Sequence, residues 1–128
     1  LASRDLTPVH SALEGFEHFV KDFPKSSYLK PAKEKITQCL DILAQNIFEI
    51  GKFYYRTGSY QSAIQRFKNL KVTYPNHAYI LEADFLLAES YFHEQNFSEA
   101  TGYYKNVIRS SPRSEFAKEA RLRLKTLR

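Results

Sequence analysis

A pattern of 25 residues that occurs twice, at a spacing of 37 residues, limits this chain more than any other feature of its sequence. Segments 51–75 and 88–112 carry small residues, aromatic residues and a closing proline in the same order. The matching pairs are Gly51/Ala88, Tyr54/Tyr91, Tyr60/Phe97, Ala63/Ala100, Phe67/Tyr104, Leu70/Val107 and Pro75/Pro112. A repeat of this length predicts a stack of similar units, each of which buries its apolar face against its neighbours.

The order of small and aromatic residues is typical of the tetratricopeptide repeat, a pair of antiparallel helices. Gly51 and Ala63 allow two helices to approach closely, and Tyr54 and Phe67 fill the space between them. Gly58 gives the backbone the freedom to leave the first helix. The sequence therefore predicts an all-α helix-pair solenoid.

A third copy of the pattern is half present near the start of the chain. Residues of the second helix recur with a constant shift of 51, as Ala12, Phe16, Phe19 and Pro24. The first helix of that pair would precede Leu1, so we expect the chain to begin within a longer repeat array. The two shifts differ by 14 residues, or about four helical turns. One overlong helix over 27–57 would accommodate the 14 extra residues, because about four whole turns leave its apolar residues on the same face.

We predict a single domain over 1–128, with about two and a half tetratricopeptide-like repeats and a C-terminal capping helix. The half repeat covers 7–24, the full repeats cover 27–75 and 78–112, and the terminal helix covers 115–127. The helices are expected near 8–22, 27–57, 60–73, 78–94, 97–110 and 115–127. Polar side chains at five helix starts are candidate N-caps, namely Thr7, Ser26, Ser59, Asn96 and Ser114.

The residue types needed for catalysis do not come together in this sequence. The four histidines stand apart, without the spacing of a metal site, and no glycine-rich phosphate loop or nucleophile motif occurs. The single cysteine, Cys39, excludes an internal disulfide, and it lies beside the apolar stripe of the long helix, where a buried small side chain is expected. We predict no enzymatic activity and no cofactor or metal.

The first helix of each tetratricopeptide pair lines a concave groove, which makes its positions the candidate binding surface. Mapped onto this chain, the positions are Gln45, Phe48, Glu49, Lys52, Tyr55, Arg56, Glu82, Phe85, Leu86, Glu89, Phe92 and His93. Either neighbouring helices cover the aromatic rings, or the rings form a partly exposed ladder that takes a segment of another protein. Lys52 and Arg56 could hold a carboxylate there, although Glu49, Glu82 and Glu89 make the groove mixed in sign.

Two basic features lie outside the groove. Arg66 follows Ala63-Ile64-Gln65 on a second helix and is either a surface arginine or an anchor for a partner's carboxylate. The formal net charge of +5 is concentrated after residue 112, where the sequence contains six Lys or Arg residues and only two Glu. That terminal helix either caps the solenoid or presents a polybasic face to nucleic acid or anionic lipid.

Three sequence features resemble the BamD (ComL) family of outer-membrane β-barrel assembly lipoproteins. They are the lead-in RDLTPVHSALEGFEHFVKDFPKSSY, the overlong helix before IGKFYYRTGSY, and the Ala-Ile-Gln-Arg-Phe motif at 63–67. The resemblance implies a non-catalytic scaffold that binds the periplasmic domains of the barrel-forming subunit, accessory lipoproteins and unfolded outer-membrane clients. It implies that Arg66 pairs with an acidic residue of the barrel-forming subunit.

The resemblance also implies a location on the periplasmic face of the outer membrane. Contact with the membrane would come only through a lipid on an N-terminal segment, and no nucleic acid would be bound. The alternative is a periplasmic tetratricopeptide adaptor that binds peptides in another cell-envelope pathway. A basic nucleic-acid binder is a third hypothesis, which predicts an affinity that falls steeply with salt.

Overall fold

The computed structural model describes residues 4–127, and every regular element in that range is a helix. The helices are α1 (Thr7–Asp22), α2 (Leu29–Arg56), α3 (Tyr60–Thr73), α4 (Ile80–His93), α5 (Phe97–Ser110) and α6 (Glu115–Thr126). The predicted all-α fold is confirmed, including the overlong helix, which has 28 residues.

The chain divides into two compact units, one up to Asn46 and one from Ile47 onward, so that α2 contributes to both. We refer to them as the N-terminal unit and the C-terminal unit. The single domain over 1–128 stays a prediction.

The C-terminal unit is built from helices that pack on their neighbours in the chain. Helix α3 packs on α4, α4 on α5 and α5 on α6, and α6 also contacts α4. The second-helix positions of both repeats are completely buried, namely Ala63, Phe67, Leu70, Ala100, Tyr104 and Val107. The core predicted from the repeat is therefore the core of this unit.

At Gly51 the backbone of α2 lies directly against a side chain of α3. A Cβ atom placed on Gly51 would lie 2.6 Å from a ring carbon of Phe67, closer than real Cβ contacts allow. The absence of a side chain at this position is what allows the ring of Phe67 to lie against the backbone of α2. At the equivalent position of the next repeat, Ala88 is completely buried.

The turn between the two helices of a pair has the same left-handed conformation in both full repeats. Gly58 has a φ of 82° in the first turn, and Gln95 has a φ of 62° at the equivalent place in the second. Only glycine adopts this region at little cost. The second repeat thus has the same left-handed turn although Gln95, and not a glycine, occupies the position.

The candidate caps differ in outcome. Asn96 accepts a hydrogen bond from the Glu99 N–H, and Ser114 accepts one from the Ala117 N–H, as predicted. Ser59 stands at the N-cap position of α3, as predicted, but its side chain makes no cap bond. The prediction is wrong for Thr7, which is the first residue of α1 rather than its cap. Ser26 precedes α2 and accepts from the Tyr28 N–H.

The N-terminal unit is less densely packed around its first helix. None of the residues of α1 is buried, and Ala12 is exposed, although its counterparts in α3 and α5 are completely covered. In α2 the buried side chains of this unit include Ala32, Cys39 and Leu43. Cys39 is therefore a buried small side chain, as expected from its place beside the apolar stripe.

Candidate functional site

Phe48, the first predicted ring of the groove, is part of the core. Its side chain is 3% exposed, and its ring stacks on Tyr79 with a centroid distance of 4.7 Å and an interplanar angle of 8°. The ring of Phe67 lies 6.0 Å away on the other helix of the pair. The structure thus corrects the placement of Phe48 in an exposed ladder, because neighbouring helices cover it.

Phe85 occupies the equivalent position of the next repeat and makes equivalent contacts. Its ring lies 5.5 Å from that of Phe116 and 6.2 Å from that of Tyr104. Each full repeat therefore contains an aromatic triad, with one ring from the first helix, one from the second helix and one from the start of the next repeat. Phe85 is half-buried, so part of the residue remains accessible.

The other two predicted groove aromatics, Tyr55 and Phe92, lie in a cluster of rings that is partly open to solvent. Tyr55 contacts Tyr60 edge-on at 5.7 Å, and Tyr60 stacks on the ring of His93 at 4.7 Å. Phe92 lies 5.6 Å from Phe97, which is 45% exposed. Of the predicted ladder, this cluster and part of Phe85 remain accessible.

Glu89 is buried in a network of polar side chains in the C-terminal unit, although the sequence predicted it to be a charged residue of the groove. Its side chain is 5% exposed, and Arg123 of α6 donates from Nε and Nη2 to its two carboxylate oxygens, at 3.0 and 3.1 Å. The Tyr104 hydroxyl donates to Oε1 at 2.8 Å, and the Tyr55 hydroxyl lies 3.5 Å from Oε2. The guanidinium of Arg123 also lies 4.8 Å from the centroid of the Phe92 ring.

Both tyrosines beside Glu89 hold their protons more tightly than an ordinary tyrosine. Burial, followed by the negative charge of Glu89, raises the pKa of Tyr55 to about 12. For Tyr104, burial and the hydrogen bond to Glu89 raise the pKa well above its usual value. Both hydroxyls are donors at neutral pH, and their hydrogen bonds stabilise the buried carboxylate together with the ion pair to Arg123.

The two predicted cations of the groove have different surroundings. Lys52 lies 4.0 Å from Glu82 and 5.1 Å from the centroid of the Phe48 ring, so its charge is partly balanced within the chain. Arg56 is the last residue of α2 and is exposed. Of the pair, Arg56 is the one with its charge facing solvent.

Arg66 is exposed on α3, next to the completely buried Phe67. Its neighbours Ala63 and Ile64 are also buried, so the backbone that carries Arg66 is held firmly by the core. The side chain therefore projects from a rigid part of the structure.

The cations of α6 do not form one continuous basic face. Arg123 points inward to Glu89, and Arg121 donates to the backbone carbonyl of Pro112 at 2.7 Å. Lys118 and Lys125 are exposed. Part of the basic character of this helix thus serves to attach it to α4 and to the turn before it, in keeping with a capping helix.

A second buried acid was also missed by the sequence analysis. Asp84 of α4 is 3% exposed, forms an ion pair with Lys71 of α3, and accepts a hydrogen bond from the Asn106 side chain of α5 at 2.9 Å. A signal was present in the sequence: α4 carries three acids among mostly apolar residues and no Lys or Arg. A helix of that composition, surrounded by others, must draw its counter-charges from its neighbours.

Two kinds of site are absent from the part of the chain that the structure describes. No group of three or more His, Cys, Asp or Glu side chains is arranged to hold a metal ion. Among the same residues, no helix combines the length and the apolar character needed to cross a membrane.

Comparison with known proteins links the chain to one group of bacterial proteins. The profile of the family described as outer membrane lipoprotein YfiO matches residues 1–96, and a tetratricopeptide repeat profile matches residues 82–114. The chain is 30% identical over 90 residues to the outer membrane protein assembly factor BamD of Haemophilus influenzae, a match that covers 70% of this chain and 34% of that protein.

Similar matches occur in other bacteria. Identity is 30% over 96 residues with BamD of Xylella fastidiosa, covering 75% of this chain and 33% of the relative. It is 25% over 118 residues with BamD of Neisseria meningitidis serogroup B, covering 92% and 44%. The chain thus spans between about a third and somewhat under half of the length of these relatives.

Proposed function

The chain belongs to the YfiO family of outer membrane lipoproteins, and from that premise we propose that it acts as a non-catalytic scaffold in the assembly of outer-membrane β-barrel proteins. The observation that carries the proposal is the family match over residues 1–96, which includes the overlong helix and the Ala-Ile-Gln-Arg-Phe motif. The relatives bear the name of outer membrane protein assembly factor, and this chain is proposed to share that role.

The proposed partners are the periplasmic domains of the barrel-forming subunit, accessory lipoproteins and unfolded outer-membrane clients. The proposed location is the periplasmic face of the outer membrane, with a lipid on the N-terminal part of the longer protein as the anchor. A family described as outer membrane lipoproteins supports this location.

Arg66 is the proposed anchor for the barrel-forming subunit. It is exposed, and its backbone is fixed by the buried side chains of Ala63 and Phe67. A guanidinium held in this way can bind a carboxylate through two parallel hydrogen bonds, which favours one orientation of the partner. The accessible residues of the predicted groove are proposed to add contacts, namely Lys52, Arg56, Tyr55, Phe85 and Phe92.

The proposal is tested by pull-down with the purified periplasmic domains of the barrel-forming subunit. We expect Arg66→Glu to weaken capture by about tenfold or more, because the anchor then repels the partner's carboxylate. Lys105→Glu is the matched control, since it makes the same charge change at an exposed position of α5 and should leave capture unchanged. Circular dichroism checks that both variants keep the helical fold.

The outcomes separate the hypotheses. Equal capture of the wild type and a folded Arg66→Glu variant would remove Arg66 from the interface. No capture of the wild type, together with binding of extended peptides in the groove, would favour the peptide-binding adaptor of another cell-envelope pathway.

A further inference from the structure

A polar groove of about 440 Å³ lies between α3 and α5, entirely within the C-terminal unit. It is lined by Lys71 of α3 and by residues of α5 from Ser98 to Arg109. That stretch of α5 is about 16 Å long, as long as about five residues of extended chain. A Cβ atom placed on Gly102, in the middle of the stretch, would meet nothing within 4 Å. The groove therefore has room for a short segment of another polypeptide.

Two residues of this groove are held by an acid that the repeat pattern does not require. Asp84 of α4 is 3% exposed, and with the shift of 37 residues it corresponds to Ile47 of α2. An apolar side chain at the equivalent position thus serves the same kind of helix pairing without burying a charge. A buried carboxylate costs free energy unless other groups replace its water. Asp84 is therefore better explained by the side chains it holds in place than by helix packing.

Those side chains form a chain of contacts that ends in two cations. Asp84 forms an ion pair with Lys71 and accepts a hydrogen bond from the Asn106 side chain at 2.9 Å. The side-chain oxygen of Asn106 in turn accepts a hydrogen bond from Nη2 of Arg109 at 3.4 Å. The ammonium of Lys71 also lies 5.0 Å from the centroid of the Tyr103 ring. Both cations are thus oriented by contacts within the chain.

The positive charge of Arg109 is available to a ligand. Its side chain is exposed and donates to a neutral amide, whereas the charge of Lys71 is balanced by a buried acid. The groove also contains the acid Glu99, in the first turn of α5. A hydrogen bond with Tyr91, and to a smaller extent the charge of Glu99, raise the pKa of Lys68. The charge of Glu99 is therefore partly offset by Lys68, and the end of the groove near Arg109 stays positive.

We propose that this groove binds an extended acidic segment of a partner protein, with one carboxylate held by Lys71 and Arg109. A guanidinium can donate two parallel hydrogen bonds to a carboxylate, and the ammonium of Lys71 keeps donors that Asp84 does not use. The ring of Tyr103 supplies an apolar wall beside them.

This site is separate from the contact proposed for Arg66. Lys71 and Arg66 are five positions apart on α3, which places them about 140° apart around the helix. A partner bound through Arg66 would leave the groove free, so the proposal does not depend on the proposed function.

Nuclear magnetic resonance titration of the 128-residue chain tests the proposal with two capped peptides, acetyl-Ser-Gly-Glu-Gly-Ser-amide and the same peptide with Gln in place of Glu. We expect the acidic peptide to shift the amide signals of Gly102 and Asn106 and to bind about fivefold or more tightly than the neutral peptide at low salt. Arg109→Gln should reduce this preference to less than about twofold. Lys118→Gln is the matched control, because it removes one positive charge at an exposed position of α6, and it should keep the preference.

Equal binding of the two peptides by the wild type would overturn the proposal. An unchanged preference in Arg109→Gln would do the same, because the carboxylate would then be held elsewhere. Arg109 is exposed, and circular dichroism checks that its variant keeps the helical fold. Inorganic phosphate is added last, at the concentration of the peptide. Retention of the acidic peptide would support a site for a carboxylate segment, whereas its complete displacement would indicate a general anion site and overturn the proposal.

Discussion

Glu89 gives up nearly all of its contact with water, so its charge depends on the groups that replace that water. The two donors of Arg123 and the hydroxyl of Tyr104 supply three hydrogen bonds of 2.8 to 3.1 Å. A buried carboxylate in such a network is stable only while its partners remain, and removal of one partner leaves an uncompensated charge. The two members of the ion pair are unequal, since the side chain of Arg123 is 39% exposed and that of Glu89 only 5%.

We therefore expect Arg123→Ala to lower the free energy of unfolding by about 3 kcal/mol, because it strands the charge of Glu89 in the core. Glu89→Gln should cost less, about 1–2 kcal/mol, since the freed guanidinium can turn to solvent. Lys125→Ala, at an exposed position of the same helix, is the control and should stay within about 0.5 kcal/mol of wild type. Urea unfolding measures all three, and equal costs for the two members of the pair would contradict the argument.

Tyr55 makes the stability of the chain sensitive to alkaline pH. Its pKa is raised to about 12 in the folded protein, chiefly by burial, whereas an unfolded tyrosine has a pKa of about 10. The folded form therefore binds this proton more tightly. The resulting contribution to the free energy of unfolding is complete below about pH 10 and is lost as the pH rises through about 12.

We expect the stability difference between wild type and Tyr55→Phe to be constant from about pH 7 to 9 and to shift in favour of the variant above about pH 10. The variant keeps the ring but has no proton to lose. Urea unfolding of both proteins across this range is the measurement. A difference that stays constant through about pH 11 would show that the hydroxyl is not held more tightly in the folded chain.

At the scale of helices, α3 packs closely on α2 at Gly51, which has no side chain. We expect Gly51→Ala to destabilise the protein by about 1–3 kcal/mol, because the new methyl group would overlap the completely buried ring of Phe67. Gly102→Ala is the matched control, since a Cβ at Gly102 on α5 meets nothing within 4 Å. That variant should gain up to about 1 kcal/mol from helix propensity. A stabilising effect of both changes would contradict close packing at Gly51.

The helices and their cores could be predicted because both follow from periodic positions. A repeat places small and aromatic residues at the same offsets in each pair, so Phe67 and Tyr104 are recognisable as equivalent core residues from their spacing alone. Helix starts are harder, because a cap depends on local backbone angles. Asn96 and Ser59 stand at equivalent positions, but only Asn96 makes the cap bond.

Pairings between distant positions could not be predicted from periodicity. Glu89 and Arg123 are 34 residues apart, and their meeting depends on α6 packing against α4 as well as α5. The groove assignment of Glu89 assumed a first helix with one open face. In α4 that face is partly closed by α6, which explains why a position expected to face solvent is buried.

At the scale of the whole molecule, burial is unevenly distributed along the chain. Helix α4 has seven buried residues and contacts α3, α5 and α6, whereas α1 has none. Local stability follows the buried apolar contacts of a segment, so the chain should open first at α1. The contacts proposed for Arg66 need a fixed backbone, and Arg66 lies on the better-packed α3.

Hydrogen–deuterium exchange followed by mass spectrometry tests this gradient. We expect peptides from α1 to exchange at least about tenfold faster than peptides from α4 in the 128-residue chain, because opening α1 exposes little new apolar surface. Helix α5, with three buried residues, should be intermediate, which makes it an internal reference. Simultaneous exchange of α1 and α4 would mean that the chain opens as one cooperative body.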